Sequence, residues 1–265
     1  KNMLESTIDK LQNTPNHFGV RAIATITHSL GKLKISDQIF FNEIVRLRER
    51  IAEEGEPQAL SNIVWACATV GHESAELFEA VAGQHKLIAG TGDVQHLSNI
   101  TWAFAKLDCK AEALFGTVAG QHERIAKEGK VQEWSNICWA FAKLECKANA
   151  DELFHSVAAQ HKRIAKNGKV QELSNICWAF AKLECNADAE ALFRAVAAQY
   201  ERITGSGNVQ NLSNIVWACA TLGYKSEELL KAVAAQHERI TASGDVQHLS
   251  NIVWACATLG YKSEE

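Results

Sequence analysis

Between residues 208 and 223 the apolar side chains Leu212, Ile215, Val216, Cys219 and Leu222 recur at steps of three and four. That spacing predicts a helix with one buried face. A second helix follows, opening at Ser226-Glu227-Glu228 and carrying Val233 and Ile240 on its apolar side. Ser226 fits a helix N-cap, and the two acids fit the positive end of the helix dipole. The whole pattern then repeats. Trp65, Trp102, Trp139, Trp178, Trp217 and Trp254 stand 37, 37, 39, 39 and 37 residues apart. Around each lies one phrase, read as Gln171-Glu172-Leu173-Ser174-Asn175-Ile176-Cys177-Trp178-Ala179-Phe180-Ala181 in one copy and as Gln210 to Ala220 in another.

The repeat predicts units at 56–92, 93–129, 130–168, 169–207 and 208–244, with a partial unit at 245–265. The two longer units carry two extra residues between their helices. Residues 1–55 are expected to form a degenerate N-terminal capping unit, with Leu30-Gly31 aligned on Val70-Gly71 and Ile51 on Ile88. Asn208 and Asp245 fit as N-caps of the first helix, and Gly71, Gly223 and Gly260 as its C-terminal stops. The second helix is expected to end at Gly92, Gly129, Gly168, Gly207 or Gly244. The expected fold is all-α, an α-solenoid superhelix of stacked two-helix repeats of 37–39 residues. Beginning at Lys1 and stopping in mid-unit at Glu265, the sequence is expected to be part of a longer protein.

Opposite the apolar face, Gln210, Asn214, Trp217 and Thr221 share one stripe of the first helix. Its counterparts are Gln58, Asn62, Gln95, Asn99, Gln132, Asn136, Gln171, Asn175, Gln247 and Asn251, and Lys106, Lys143 and Lys182 take the Thr place. Two accounts fit. The Trp can pack between units while Asn and Gln form a ladder along the stack. Alternatively the stripe can line a groove where amides meet base edges while Trp and Lys meet bases and phosphates.

Two places vary together within the fixed phrase: Glu56 with Ala59, Asp93 with His96, Lys130 with Glu133, Lys169 with Glu172, Asn208 with Asn211, and Asp245 with His248. Three residues apart at a helix start, their side chains can meet. Local capping and charge pairing is one explanation. A modular code, one pair per ligand subunit, is the other.

Charge and cysteine content narrow the picture. The net charge of −4 argues against polyanion binding by bulk charge, although unit 130–168 carries six Lys or Arg against four Asp or Glu. The eight cysteines follow the repeat and form no CxxC pair, which favours buried thiols in a reducing compartment. His85, His122, His161 and His237, replaced once by Tyr200, read as half-buried, hydrogen-bonded side chains. Arg124, Arg163, Arg202 and Arg239 read as a solvated face or as an edge for phosphate. Gly90-Thr91-Gly92 and Gly205-Ser206-Gly207 lack the Lys-Ser/Thr ending of a phosphate loop. Catalytic sites are unique, whereas every feature here recurs, so no enzyme, cofactor, metal, membrane span or small-molecule substrate is expected.

The phrase Gln-x-Leu-Ser-Asn-Ile-x-Trp-Ala-x-Ala-x-Leu, best shown by Gln171, Leu173, Asn175, Trp178, Ala179, Ala181, Lys182 and Leu183, resembles the octotricopeptide repeat family over roughly residues 56–265. The resemblance implies a helical-repeat solenoid, right-handed by analogy. It further implies sequence-selective binding of single-stranded RNA, often of chloroplast or mitochondrial transcripts. Related helical repeats occur in bacterial effectors, and a protein-interaction scaffold is the alternative function.

Overall fold

The computed structural model describes residues 3–147, 150–186 and 189–262, the side chain of Pro15 excepted. Helices follow one another along this whole length, and no strand occurs among the described residues. The fold is all-α, built of stacked helical repeats of the α-solenoid class. It falls into two compact units, one up to Gln121 and one from His122 onward.

Each repeat opens with a long helix, termed A. In the first unit the A helices are Val20–Leu33, Pro57–Val70 and Val94–Lys106. In the second they are Val131–Lys143, Val170–Leu183, Val209–Thr221 and Val246–Thr258. Within each unit every A helix packs on the next. Small side chains allow the approach: Ser174, Ala179, Ser213 and Ala218 are fully buried. The apolar face read from the sequence supplies the rest, with Leu212, Ile215 and Val216 all out of solvent. In the second unit one core position departs from the pattern. Trp134 stands where other repeats carry Leu, and it is completely buried. Its indole Nε1 donates to the Ile125 carbonyl at 2.7 Å, and the Arg163 guanidinium lies 4.7 Å over its ring. A buried indole N–H needs such a partner.

The second arm of the hairpin differs from the single helix expected. It breaks into two short helices, B1 and B2: Ala75–Gly83 and His85–Thr91, for example, or Ala189–Ala197 and Tyr200–Ser206. The break falls on a glutamine, with φ −88 and ψ 18 at Gln84 and φ −95 and ψ 21 at Gln199. These angles lie in the bridge region, outside regular helix. The bend lets B2 of one repeat pack against B1 of the next within each unit. Hydrophobic periodicity could not show it, because one turn of bridge geometry keeps the three-to-four spacing almost intact.

The helix stops also differ in kind. Gly71, Gly223 and Gly260 end their A helices in the left-handed region, with φ of 73, 70 and 62. In the repeats between, Asp108, Glu145 and Glu184 adopt that conformation instead, at φ 56 to 59. In the capping repeat Lys34 does so, at φ 54. Lys34, and not Gly31, is therefore the counterpart of Gly71. Gly31 sits inside its helix, where a Cβ would come within 2.8 Å of Ala66 Cβ, so it serves close helix packing. Ile51 does match Ile88, both fully buried. The glycines closing B2 have ordinary extended backbone, φ −72 at Gly168. They are required because a Cβ there would lie 2.7 Å from the Ile164 carbonyl, and 2.5 Å from that of Ile125 at Gly129.

Opposite outcomes are expected from two single substitutions measured by thermal denaturation. Gly168→Ala should destabilise by about 1–3 kcal/mol through overpacking. Asp108→Gly should stabilise by roughly 0.5–1 kcal/mol by relieving left-handed strain.

Candidate nucleic-acid interface

The stripe along the A helices is half open. Gln58, Gln95, Gln132, Gln171, Gln210 and Gln247 are exposed. Asn62, Asn99, Asn136, Asn175, Asn214 and Asn251 are half-buried, as are Trp65, Trp102, Trp139, Trp178 and Trp217. Trp254, on the last A helix described, is 45% exposed. The Trp side chains are therefore partly covered and partly accessible, and Trp65 packs close to Gly31 of the preceding A helix. In the capping repeat His28 takes the Trp place and lies 4.8 Å from the Trp65 ring. Burial there, with Lys32 nearby, holds the His28 imidazole below its ordinary pKa.

Part of the amide row forms a ladder. Gln171 Nε2 donates to Asn175 Oδ1 at 2.9 Å, and Asn175 Nδ2 donates to Ser135 Oγ of the preceding repeat at 3.2 Å. Asn211 Nδ2 donates to Gln171 Oε1 at 3.1 Å. Gln247 Nε2 donates to Asn251 Oδ1 at 2.8 Å. The ladder does not close the row to solvent, since the Gln residues are still exposed. Lys106, Lys143 and Lys182 are exposed at the far end of the stripe. Lys182 Nζ lies 2.8 Å from Glu145 Oε1, a surface ion pair of small energetic value.

The covarying pairs are brought together at the A-helix N-termini. Asp93 Oδ1 accepts from His96 N–H at 2.9 Å while the Asp93 N–H donates back to His96 Nδ1 at 3.2 Å. Asp245 and His248 repeat the arrangement. Asn208 and Asn211 do so with two amides, at 2.9 and 3.2 Å. Lysine has no acceptor, so with Lys130 and Lys169 only the return bond is made, to Glu133 Oε2 and Glu172 Oε2 at 2.9 Å each. Glu56 precedes Pro57, which has no N–H to satisfy, and its partner is merely the buried Ala59. Side-chain bonds at the helix start thus join five of the six pairs, reciprocally in three of them. Capping also places Asn211 out of solvent, at 4% exposure.

The arginines on B2 do something neither sequence account foresaw. Arg163 donates to the carbonyls of Ala126 and Gly129, at 3.2 and 2.9 Å. Arg202 donates to Gly168 at 2.6 Å and also to Ala165. Arg239 donates to Thr204 and Gly207, at 2.7 and 3.0 Å. Each guanidinium thus closes the C-terminal end of the preceding B2 helix, where carbonyls lack intrahelical partners. Only their regular recurrence could have hinted at this. The B2 histidines bond sideways: His85 Nδ1 pairs with Thr117 Oγ1 at 2.8 Å and His122 Nδ1 with Ser156 Oγ at 2.9 Å. Where the next repeat has Ala195 in place of a hydroxyl residue, His161 turns to the Ala158 carbonyl. His237, expected half-buried, is exposed, because among the described residues no B1 helix follows to cover it.

Cys67, Cys138, Cys177 and Cys219 are buried. Desolvation pushes the thiols of Cys67 and Cys219 up to about 12 and raises the other two as well. They pack as small apolar groups. Among the described residues no group of His, Cys, Asp and Glu is placed to hold a metal, and no helix is long and apolar enough to cross a membrane.

Comparison with known proteins gives one family match. The sequence model of the RNA-editing substrate-binding complex 6 protein matches residues 10–264. No curated protein sequence matches the chain.

Replacing Arg202 by Met should cost about 2 kcal/mol, since two charge-assisted bonds to a neighbouring helix end are lost. Asn208→Ala, which removes a cap, should cost about 1 kcal/mol. Urea denaturation of the purified chain reads both.

Proposed function

Because the chain belongs to the RNA-editing substrate-binding complex 6 protein family, we propose that it binds single-stranded RNA along its A-helix stripe, without catalysing a reaction on it. The observation that carries this reading is the recurrence, repeat after repeat, of an exposed Gln, a Trp left partly accessible and a Lys or Thr, exposed everywhere but at Thr69, on the same helix face. An open indole edge offers a surface for bases, the Gln amide offers a donor and an acceptor to base edges, and Lys meets phosphate. Phosphate recognition is concentrated on Lys106, Lys143 and Lys182, with Lys130 and Lys169 at the starts of their helices. Local charge in this stretch offsets the acidic balance of the whole chain.

Selectivity among bases falls to the Gln row. The covarying pairs spend their acceptors on helix caps, so they tune stability first and reach RNA only through side-chain atoms left over, such as His96 Nε2 and the Lys130 and Lys169 ammonium groups. The octotricopeptide resemblance of Gln171 to Leu183 supports a modular arrangement of about one nucleotide per repeat. A role in RNA editing is consistent with the family's name, and the octotricopeptide resemblance is what points to organellar transcripts.

The chain should retain single-stranded RNA from a random pool in filter binding, with affinity falling steeply as salt rises. Lys143→Ala and Lys182→Ala should each flatten the log–log salt slope by about 0.7. Gln171→Ala should instead change which sequences are enriched. Binding indifferent to salt and to all three substitutions would overturn the proposal.

A further inference from the structure

The glutamines of the stripe are not all held alike. Gln171 has both ends of its amide engaged. Its Oε1 accepts from Asn211 Nδ2 of the next repeat at 3.1 Å, and its Nε2 donates to Asn175 Oδ1 at 2.9 Å. Gln247 makes the second kind of bond alone, to Asn251 Oδ1. Among the described residues, the side chains of Gln58, Gln95, Gln132 and Gln210 form neither.

The direction of these bonds is imposed by the backbone. The Asn208 N–H can only donate, and it donates to Asn211 Oδ1 at 3.2 Å. Asn211 therefore turns its Nδ2 toward Gln171, Gln171 presents Oε1 to it, and the Gln171 Nε2 is left facing Asn175 Oδ1. Asn175 Nδ2 then donates to Ser135 Oγ of the preceding repeat at 3.2 Å. Asn211 and Ser135, at the two ends of this chain of bonds, are 4% and 1% exposed. Turning the Gln171 amide over would set its NH2 group against that of Asn211. At Gln247 the two amides can turn over together, because among the described residues nothing holds its Oε1. Asparagine is the residue this requires. The same place is held by Ala59, His96, Glu133, Glu172 and His248. The glutamates accept from their cap N–H groups through Oε2 and have no donor to offer a glutamine Oε1. The histidines accept through Nδ1, and no hydrogen bond joins them to a stripe glutamine among the described residues.

Gln171 is itself exposed, with one Nε2–H and one Oε1 lone pair still unused. A base edge offers a donor beside an acceptor, and their order is opposite in the amino bases, adenine and cytosine, and the keto bases, guanine and uracil. An amide free to turn over meets either order, whereas a fixed amide meets one. We propose that Asn211 is a positioning residue for base choice: by fixing the Gln171 amide it makes repeat 169–207 separate amino from keto bases at one nucleotide. The stripe glutamines left free to turn accept both classes. Asn211 acts through Gln171 and does not itself touch the RNA. The inference rests on RNA binding along the stripe and goes beyond it by naming which repeat selects and between which bases.

Selection from a random single-stranded RNA pool by the full 265-residue chain tests this. Gln171→Ala identifies the nucleotide that the repeat contacts, as the position whose enrichment disappears. At that position the unsubstituted chain should favour one class over the other about tenfold or more. Asn211→Asp keeps an acceptor for the Asn208 N–H but replaces the donor to Gln171 by a second acceptor. The Gln171 amide should then turn over, and the favoured class should reverse. Loss of a helix cap alone would lower stability without exchanging one class for the other. Asn208→Asp combined with Asn211→His installs the reciprocal cap seen at Asp93 and His96 and should erase the preference. That variant also decides the matter if Asn211→Asp does not fold. Enrichment that mixes the two classes at this position, or the original preference retained by either variant, would overturn the inference and leave RNA binding standing. No retention of RNA, or a motif unaffected by Gln171→Ala, would overturn the binding reading and this inference with it.

Discussion

The close approach of one A helix to the next is the constraint from which the rest follows. Two helices can stack this tightly only where their facing side chains are small, and the phrase supplies Ser and Ala at those places in every copy, as with Ser174, Ala179, Ser213 and Ala218. The bulky groups are pushed to the flanks. On one side Leu, Ile and Phe meet the B helices and form the core. On the other, Trp is caught half-buried between successive A helices, and the amides of Asn and Gln are near enough to bond across repeats. A helical hairpin of this size cannot bury enough apolar surface alone, so stability lies in the interfaces between neighbours.

The polar interactions that vary between repeats serve those interfaces as much as any ligand. The B2 arginines tie each repeat to the end of its predecessor. The B2 histidines pair with a hydroxyl of the next repeat at Thr117 or Ser156, and where Ala195 removes it His161 turns to the Ala158 carbonyl of its own repeat. The residues that open each A helix exchange Asp–His for Lys–Glu or Asn–Asn and keep the N-terminal backbone satisfied in each case. Similar geometry is reached by different chemistry, which is how a repeat can drift in sequence while its stacking is preserved.

What remains exposed after these demands are met is the material for recognition. The Gln row and the lysines are held at regular intervals on the A helices and stay exposed, even where Gln171 bonds Asn211 and Lys182 pairs with Glu145. The row therefore offers an ordered series of donors, acceptors and charges at modest conformational cost, and the family to which the chain belongs gives that series an RNA setting.

The residues by themselves determined the helical class, the stacking of units, the apolar face of each A helix, its caps at Asn208 and Asp245, the cap of a B helix at Ser226, and the stripe from Gln210 to Thr221. All of these depend on separations of a few residues along one helix, and such separations fix geometry without reference to the rest of the chain. The break at Gln84, the left-handed stops at Lys34 and Glu184, the carbonyls reached by Arg202 and the burial of Asn211 were decided only by tertiary structure. Each depends on what another repeat places within a few ångströms, and that distance is set by how closely whole helices pack.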